Sequence, residues 1–230
     1  MAAGSEFDAY ADDYERALNQ GLSISGEGKD YFASGRVEFL RDCLRHANRA
    51  PQKAMDFGCG TGATAPLLRD VVGTPTIVGV DESTQSIRRA SQEFAAPGIT
   101  FSVTEGYVPT GDFDLVYTNG VFHHIPPASR PSTFGFLRDT LRVGGVLALW
   151  ENNPWSLGAR YVMSRIPFDR DAIMISARQA GRLAREHGFR VLRTDYLFIF
   201  PAALRILRPL EARLRSIAAG AQYQLLCERL

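Results

Sequence analysis

Short apolar stretches alternate with longer amphipathic stretches over most of the 230-residue chain. The apolar stretches are typical of buried strands, and the stretches between them carry apolar residues at helical spacing. This pattern predicts strands at residues 53–57, 76–80, 99–103, 113–118, 145–151, 189–200 and 221–228. It predicts helices at residues 6–20, 29–48, 62–72, 83–95, 127–141 and 176–187. Strands that alternate with helices in this way indicate an α/β fold with a doubly wound sheet.

Composition narrows the class of protein. Hydrophobic residues make up 45% of the chain, which is enough for a full core, and the net charge of +1 gives no electrostatic footprint for nucleic acid. The three cysteines are far apart and lack metal-ligand spacing, as expected in a reducing compartment. We found no apolar stretch long enough to span a membrane and no signal peptide. We therefore expect one soluble, cytoplasmic domain without nucleic-acid partners, as a monomer or a homodimer.

A glycine-rich turn and an acidic residue mark a candidate binding site. The turn Gly58-Cys59-Gly60-Thr61-Gly62 follows the first predicted strand, and Asp81 ends the second. A right-handed strand–helix–strand crossover places these two points side by side. Glycines let a ligand approach backbone N–H groups, and the carboxylate can accept hydrogen bonds from a ribose diol. The pattern therefore predicts a nucleoside site.

Asp56 bears on which nucleoside binds. The turn also satisfies the loose dinucleotide pattern G-x-G-x-x-G/A, which has an acid about 20 residues further on. A carboxylate at the strand tip, however, repels a pyrophosphate and suits a ligand with an ammonium or sulfonium group. A cationic nucleoside is therefore favoured, and a nicotinamide dinucleotide is the alternative.

The motif Asp56-x-Gly58-x-Gly60-x-Gly62 resembles that of the class I, seven-β-strand, S-adenosylmethionine (SAM)-dependent methyltransferases, of the small-molecule type. The resemblance covers nearly all of residues 53–195. It implies a Rossmann-like sheet whose last strand is antiparallel and lies between the fifth and the sixth. It also implies SAM as cofactor, S-adenosylhomocysteine as product, no metal, and methyl transfer to an oxygen, nitrogen or carbon nucleophile.

The same resemblance implies roles for individual residues. Asp56 and the glycines at 58, 60 and 62 are expected to hold the methionine end of SAM, and Asp81 its ribose. Glu105 takes the place of the acid that contacts the adenine amino group in that family. The further expected cofactor contacts are Glu82, Ser83, Gly106, Asn119, Gly120, Tyr14 and Arg36.

Two adjacent histidines follow the fourth predicted strand. The carboxyl ends of strands are where α/β sheets carry their chemistry, and histidine titrates near neutral pH. His124 is the stronger candidate for a base that takes a proton from the nucleophile, and His123 the weaker. A role in shaping the pocket is an equal alternative for His124.

The remaining segments are expected to surround the acceptor. We predict a helical cap at residues 1–50, a SAM-binding core at 51–150, and lid insertions at 151–175 and 198–220. The acceptor is expected to be a small molecule of the specialised-metabolite or glycolipid type. The basic amphipathic stretch 204–215 either associates weakly with an anionic membrane or packs its leucines on the core.

Two other functions stay open at this point. A nicotinamide-dependent oxidoreductase would use the same glycine turn, although we found no Tyr-x-x-x-Lys pair or other proton donor typical of that class. A non-catalytic module that binds SAM and supports a partner enzyme would share every cofactor residue.

Overall fold

A computed structural model describes residues 21–169 and 172–230. The helix predicted at residues 6–20 and the expected cofactor contact Tyr14 lie outside this part of the chain.

The described residues form one seven-stranded sheet with the order β3-β2-β1-β4-β5-β7-β6. Strand β7 pairs antiparallel with both β5 and β6, and the other pairs are parallel. The expected antiparallel last strand between the fifth and the sixth is thus confirmed. The strands are β1 Lys53–Phe57, β2 Thr76–Asp81, β3 Ile99–Val103, β4 Phe113–Asn119, β5 Leu141–Asn152, β6 Phe189–Leu197 and β7 Gln222–Arg229.

Two strand boundaries differ from the prediction by more than one residue. Strand β5 begins at Leu141 rather than at residue 145, because Leu141 pairs with Phe113 before a register shift. Strand β6 ends at Leu197 rather than at residue 200, because Phe198 has a φ of +60° and leaves the extended conformation.

The helices follow the predicted alternation. They are α1 Lys29–His46, α2 Thr64–Leu67, α3 Thr84–Phe94, α4 Arg130–Thr140, α5 Leu157–Arg165, α6 Ala177–Glu186 and α7 Glu211–Leu214. Helix α2 continues as a π-helical turn over Leu68–Val72, so together they match the helix predicted at 62–72. Helix α5 lies in the stretch 151–175, where the sequence pattern indicated no helix.

The two faces of the sheet carry separate cores. One hydrophobic cluster lies between the sheet and helices α4 and α6, and the other lies between the sheet and α1 and α2. Successive residues of β4 contribute to opposite clusters: Val116 belongs to the first, and Leu115 and Tyr117 to the second. This packing leaves the carboxyl ends of the parallel strands free for a site.

The segment between β6 and β7 is not one amphipathic helix. It is a 3₁₀ helix over Ala202–Leu210, with non-helical dihedrals at Leu204 and a proline at 209, followed by α7. None of residues 202–214 is buried, and Ile206 is 85% exposed. The alternative in which the leucines of 204–215 pack on the core is therefore wrong, because none of these leucines is buried.

No helix in the described ranges is both long and apolar enough to cross a membrane.

Candidate active site

The glycine turn is fixed to the neighbouring strand by backbone hydrogen bonds. The N–H groups of Gly58 and Cys59 donate to the carbonyl of Val80, at 2.8 and 3.0 Å. Gly58 has a φ of +71°, and a Cβ there would lie 2.3 Å from Cγ2 of Val121. A side chain at this position is excluded by both conformation and space, so the turn needs glycine here.

Gly60 is different, because its surroundings are open. Its φ is +52°, yet a Cβ on it would meet no atom of the described chain within 4 Å. Its N–H donates to Oδ2 of Asp81 at 2.8 Å. The backbone of Gly60 therefore borders a space that a ligand can enter.

Asp81 lies where the sequence predicted, beside the glycine turn. Its two carboxylate oxygens accept from the N–H groups of Gly60 and Ser83, at 2.8 and 2.9 Å. Burial raises the pKa of Asp81, and these two hydrogen bonds oppose the rise. Because a carboxylate has about four acceptor sites, it can still accept from a ribose diol.

The two residues after Asp81 differ in the exposure of their side chains. Glu82 is exposed, as expected for a residue at the rim of a site. Ser83 is fully buried, and its hydroxyl caps α3 by accepting from the N–H of Ser86 at 3.1 Å. Ser83 lies beside Asp81, as its expected place along the adenosine requires, and its hydroxyl holds the start of α3.

Asp56 is a buried carboxyl at the tip of β1. It is 2% exposed, and its Oδ2 has no hydrogen-bond partner among the described residues. Burial, with a smaller contribution from the negative charge of Asp81, raises the pKa of Asp56 to about 7, and Arg36 opposes the rise. An unpaired buried carboxylate is costly, and a cationic ligand group would offset that cost.

Arg36 reaches the same region from α1. It is 9% exposed, and it donates to Oη of Tyr117 at 3.3 Å and to Oε1 of Gln222 at 3.0 Å. Tyr117 is the direct neighbour of Asp56 in the β1–β4 register. The structure thus places a guanidinium beside the buried carboxyl.

The other expected cofactor residues lie around this opening. Oδ1 of Asn119, at the end of β4, is buried and has no hydrogen-bond partner within the described chain. The next residue, Gly120, has a φ of +68° and donates to the carbonyl of Trp150 at 3.0 Å. Glu105 and Gly106 are exposed in the turn after β3, which is joined to Asp81 by a backbone hydrogen bond from Thr104.

His123 lies deeper in the protein than His124. His123 is 3% exposed, and its Nδ1 is 2.6 Å from Oε2 of Glu151. Oε1 of Glu151 accepts from the N–H of Phe122 at 2.6 Å, which fixes the carboxylate. Burial acts to lower the pKa of His123, but the carboxylates of Glu151 and Asp169 outweigh burial and raise it to about 10.

Asp169 joins the two histidines. Its Oδ1 is 3.4 Å from Nε2 of His123 and 3.2 Å from Nε2 of His124. Burial acts to raise the pKa of Asp169, but its contacts with both histidines outweigh burial and lower it. We call His123, His124, Asp169 and Glu151 the histidine cluster.

Sequence reasoning missed both acids of the histidine cluster. Glu151 is near the carboxyl end of β5, so its position at a strand tip was a usable signal. Asp169 lies in the insert after α5, and we find no sequence signal that would have brought it to the histidines.

A cavity of about 420 Å³ opens beside these residues. Arg36, Asn119 and the histidine cluster, except Glu151, form a polar part of its wall. The rest of the wall comes mainly from residues 22–32, from α5 and from residues 198–201; most of it is apolar, and it also includes the charged side chains of Glu27, Lys29 and Arg208. Such a cavity suits a small molecule that has an apolar body and a polar reacting end.

Comparison with known proteins decides the family. Residues 30–194, well over half of the chain, match the family model of a methyltransferase domain. The chain belongs to the SAM-dependent methyltransferases of class I. SAM is thus the cofactor of its family, and the seven-stranded Rossmann-like fold expected from the sequence is confirmed.

Curated relatives of this methyltransferase include trans-aconitate 2-methyltransferases. The protein from Azoarcus sp. (strain BH72) is 32% identical over 124 residues, which is 51% of this chain and 46% of that protein. The protein from Rhizobium etli is 31% identical over 121 residues, again 51% of this chain and 46% of the relative. The methyltransferase thus matches about half of the length of these relatives.

A solved structure extends the similarity over almost the whole chain. A possible histamine N-methyltransferase from Thermotoga maritima has a TM-score of 0.68 and 17% identity, covering 97% of this chain and 98% of that one. At this identity the similarity supports the fold.

Proposed function

We propose that this methyltransferase transfers the methyl group of SAM to an oxygen, nitrogen or carbon nucleophile of a small molecule bound in the 420 Å³ cavity. The observation that carries the proposal is the unpartnered, buried carboxyl of Asp56 beside the open backbone of Gly60. A cationic nucleoside fits this pair, whereas a pyrophosphate would bring further negative charge to it.

The cofactor is held from its methionine end to its adenine. The ammonium group pairs with Asp56, and the carboxylate lies towards Arg36. Asp81 accepts hydrogen bonds from both ribose hydroxyls. Asn119 and Gly120 border the sulfonium, and the exposed Glu105 with Gly106 lies towards the adenine amino group. Tyr14, which lies outside the described residues, stays an expected cofactor contact.

The chemistry is an in-line displacement. The sulfonium already activates the methyl group, so the protein mainly aligns nucleophile, carbon and sulfur. Such alignment contributes up to roughly 7–11 kcal/mol to catalysis. The reaction turns a sulfonium into a neutral thioether, and an enclosed site with little water favours that loss of charge.

The inserts form the acceptor lid in this proposal. Asn153 joins them, because its Nδ2 donates to the carbonyls of Ala218 and Gly220 at 3.0 and 2.9 Å. Arg208 forms an ion pair with Glu27 at 2.7 Å, which connects the second insert to the residues just before α1. These contacts enclose the cavity over the sheet tips.

The acceptor has an apolar body and a polar reacting end. Its apolar body packs against α5 and residues 198–201, and its nucleophile lies towards His124, which is 20% exposed in the cavity wall. A specialised metabolite or a glycolipid-type molecule meets this description. A nucleophile that carries a proton transfers it to His124.

The test is methyl transfer from labelled SAM to a panel of candidate acceptors. We expect labelled product and S-adenosylhomocysteine in equal amounts with at least one amphiphilic acceptor. The variant Asp81→Asn should lose transfer together with SAM binding, whereas Asp70→Asn, at an exposed surface position, should keep both. SAM binding without transfer to any acceptor would indicate a non-catalytic SAM-binding module instead.

A further inference from the structure

The histidine cluster contains three potential metal ligands. His123 and His124 follow β4, and Asp169 ends a short 3₁₀ helix, Pro167–Asp169, that follows α5. One nitrogen of each histidine and one carboxylate oxygen all lie within 4.8 Å of one another. The sequence alone gave no reason to expect a metal, because Asp169 is distant in sequence from the two histidines.

Two of the three distances between these ligand atoms fit a first-row metal ion. Nitrogen and oxygen ligands lie about 2.0–2.2 Å from Zn²⁺. Two such ligands at octahedral or tetrahedral angles are then about 3.0–3.4 Å apart. Oδ1 of Asp169 is 3.4 Å from Nε2 of His123 and 3.2 Å from Nε2 of His124. We propose that His123, His124 and Asp169 bind a divalent transition-metal ion, with Zn²⁺ as the expected ion.

A second observation supports the same site. Nε2 of His123 is buried and makes no hydrogen bond of good geometry within the described ranges, and its contact with Oδ1 of Asp169 is long, at 3.4 Å. Buried polar atoms are normally well hydrogen-bonded, so a ring nitrogen with such a long contact is poorly satisfied. A metal ion bound to Nε2 would satisfy it.

Glu151 supplies the support that a metal-binding histidine commonly has. Histidine ligands usually donate their other ring N–H to a carboxylate, which fixes the tautomer and the ring orientation. The Nδ1 of His123 lies 2.6 Å from Oε2 of Glu151, whose other oxygen is held by the N–H of Phe122. The carboxylates of Glu151 and Asp169 together offset the charge of a divalent ion.

The role of the ion would be to activate the acceptor. This part of the inference rests on the proposed function. SAM needs no metal to donate its methyl group. Three protein ligands leave coordination positions open, and His124 and Asp169 face the cavity. An acceptor hydroxyl bound there would lose its proton more readily, because a metal ion lowers the pKa of a bound oxygen. The oxygen then bonds to the methyl carbon as the carbon–sulfur bond breaks, and the bond pair stays on sulfur.

The acceptor class follows from that role. The bound atom is the oxygen of a hydroxyl or enol group, and its proton passes to solvent. In this arrangement His124 is a metal ligand, which replaces the role as a base proposed for it above, and the metal-bound hydroxyl releases its proton to solvent.

The test uses the whole chain after chelator treatment, without SAM or acceptor. Titration with Co²⁺ should give visible d–d absorption bands at one ion per chain, and Zn²⁺ should displace it. The variants Asp169→Asn and His124→Ala should each weaken Co²⁺ binding at least tenfold. Glu151→Gln should weaken it about 10–100-fold through the orientation of His123.

The matched control is His46→Ala, because His46 is exposed, lies on α1 and contacts the carbonyl of Asp42 through its Nδ1 at 2.6 Å. It should bind Co²⁺ like the unmodified protein. Circular dichroism checks that each variant folds, and Asp169→Asn changes a residue outside both core clusters. Absence of Co²⁺ binding, or equal binding by Asp169→Asn and His124→Ala, overturns the proposal. The Co²⁺ titration does not depend on methyl transfer. A failed methyl-transfer assay would therefore contradict the proposed function, and a failed Co²⁺ titration would contradict the metal site.

Discussion

The substitution Asp56→Asn tests the electrostatics of the cofactor site, because it should stabilise the free protein while it abolishes SAM binding. The asparagine keeps the shape of the side chain and removes its charge. In the fold, the pKa of Asp56 is raised from 3.8 to about 7, chiefly by burial. The native state therefore holds a proton that the unfolded chain has already lost between these two values.

The sign and size of the effect follow from linkage. Where the native state binds more protons, stability falls as pH rises, so Asp56 destabilises the fold progressively between about pH 4 and pH 7. At about 1.4 kcal/mol per pKa unit, the full cost above pH 7 is up to about 4 kcal/mol. The buried amide of asparagine keeps a desolvation cost of about 1–3 kcal/mol. A net gain of about 1–3 kcal/mol at pH 8, and little change at pH 5, is expected.

Denaturant unfolding of the ligand-free protein at pH 5 and pH 8 measures this difference, and calorimetry measures SAM binding. Breaking a buried ion pair costs about 3–5 kcal/mol, which corresponds to an affinity loss of about 10²–10³-fold or more. Asp70→Asn is the control, since Asp70 is exposed and pairs with Arg69. Equal stability of Asp56→Asn and the unmodified protein at pH 8, or unchanged SAM affinity, would refute the reasoning.

Four further expectations concern the same site. Calorimetric SAM affinity should fall about tenfold per pH unit below pH 7, because Asp56 must lose its proton to pair with the ammonium; a flat profile between pH 5 and 7 would contradict this. Gly58→Ala should lower the melting temperature strongly, since its Cβ clashes in a left-handed turn. Gly60→Ala should lower the free energy of unfolding by only about 1–2 kcal/mol and yet weaken SAM binding. Equal melting temperatures of the two variants would count against the packing described. Asp81→Asn should raise the Kd for SAM with little change in fold, as checked by calorimetry and circular dichroism. His124→Ala should lower kcat by about 10²–10⁴-fold with a protonated nucleophile, and unchanged turnover would leave His124 as a wall residue.

The sequence predicted the parts of the molecule that depend on local patterns. The strands of the core and the glycine turn at residues 58–62 follow from apolar runs and from glycine conformations. The position of Asp81 beside Gly60 follows from the handedness of one crossover. These features need no knowledge of distant residues.

The sequence did not predict the features that depend on long-range packing. The early start of β5 comes from pairing between Leu141 and Phe113, and the segment 204–215 is interrupted by non-helical dihedrals at Leu204. Asp169 reaches the histidines from an insert whose packing no local pattern determines. Antiparallel pairing of β7 was known only through the family resemblance, since periodicity does not carry strand direction.

Calorimetric titration of the full chain at pH 8 with SAM, S-adenosylhomocysteine and NADH tests most directly whether the strand tip selects a cationic nucleoside. We expect both sulfur-containing nucleosides to bind at one per chain, because each carries the ammonium group that pairs with Asp56, and we expect no heat from NADH. Tight binding of NADH, with no response to SAM or S-adenosylhomocysteine, would contradict the assignment of this site.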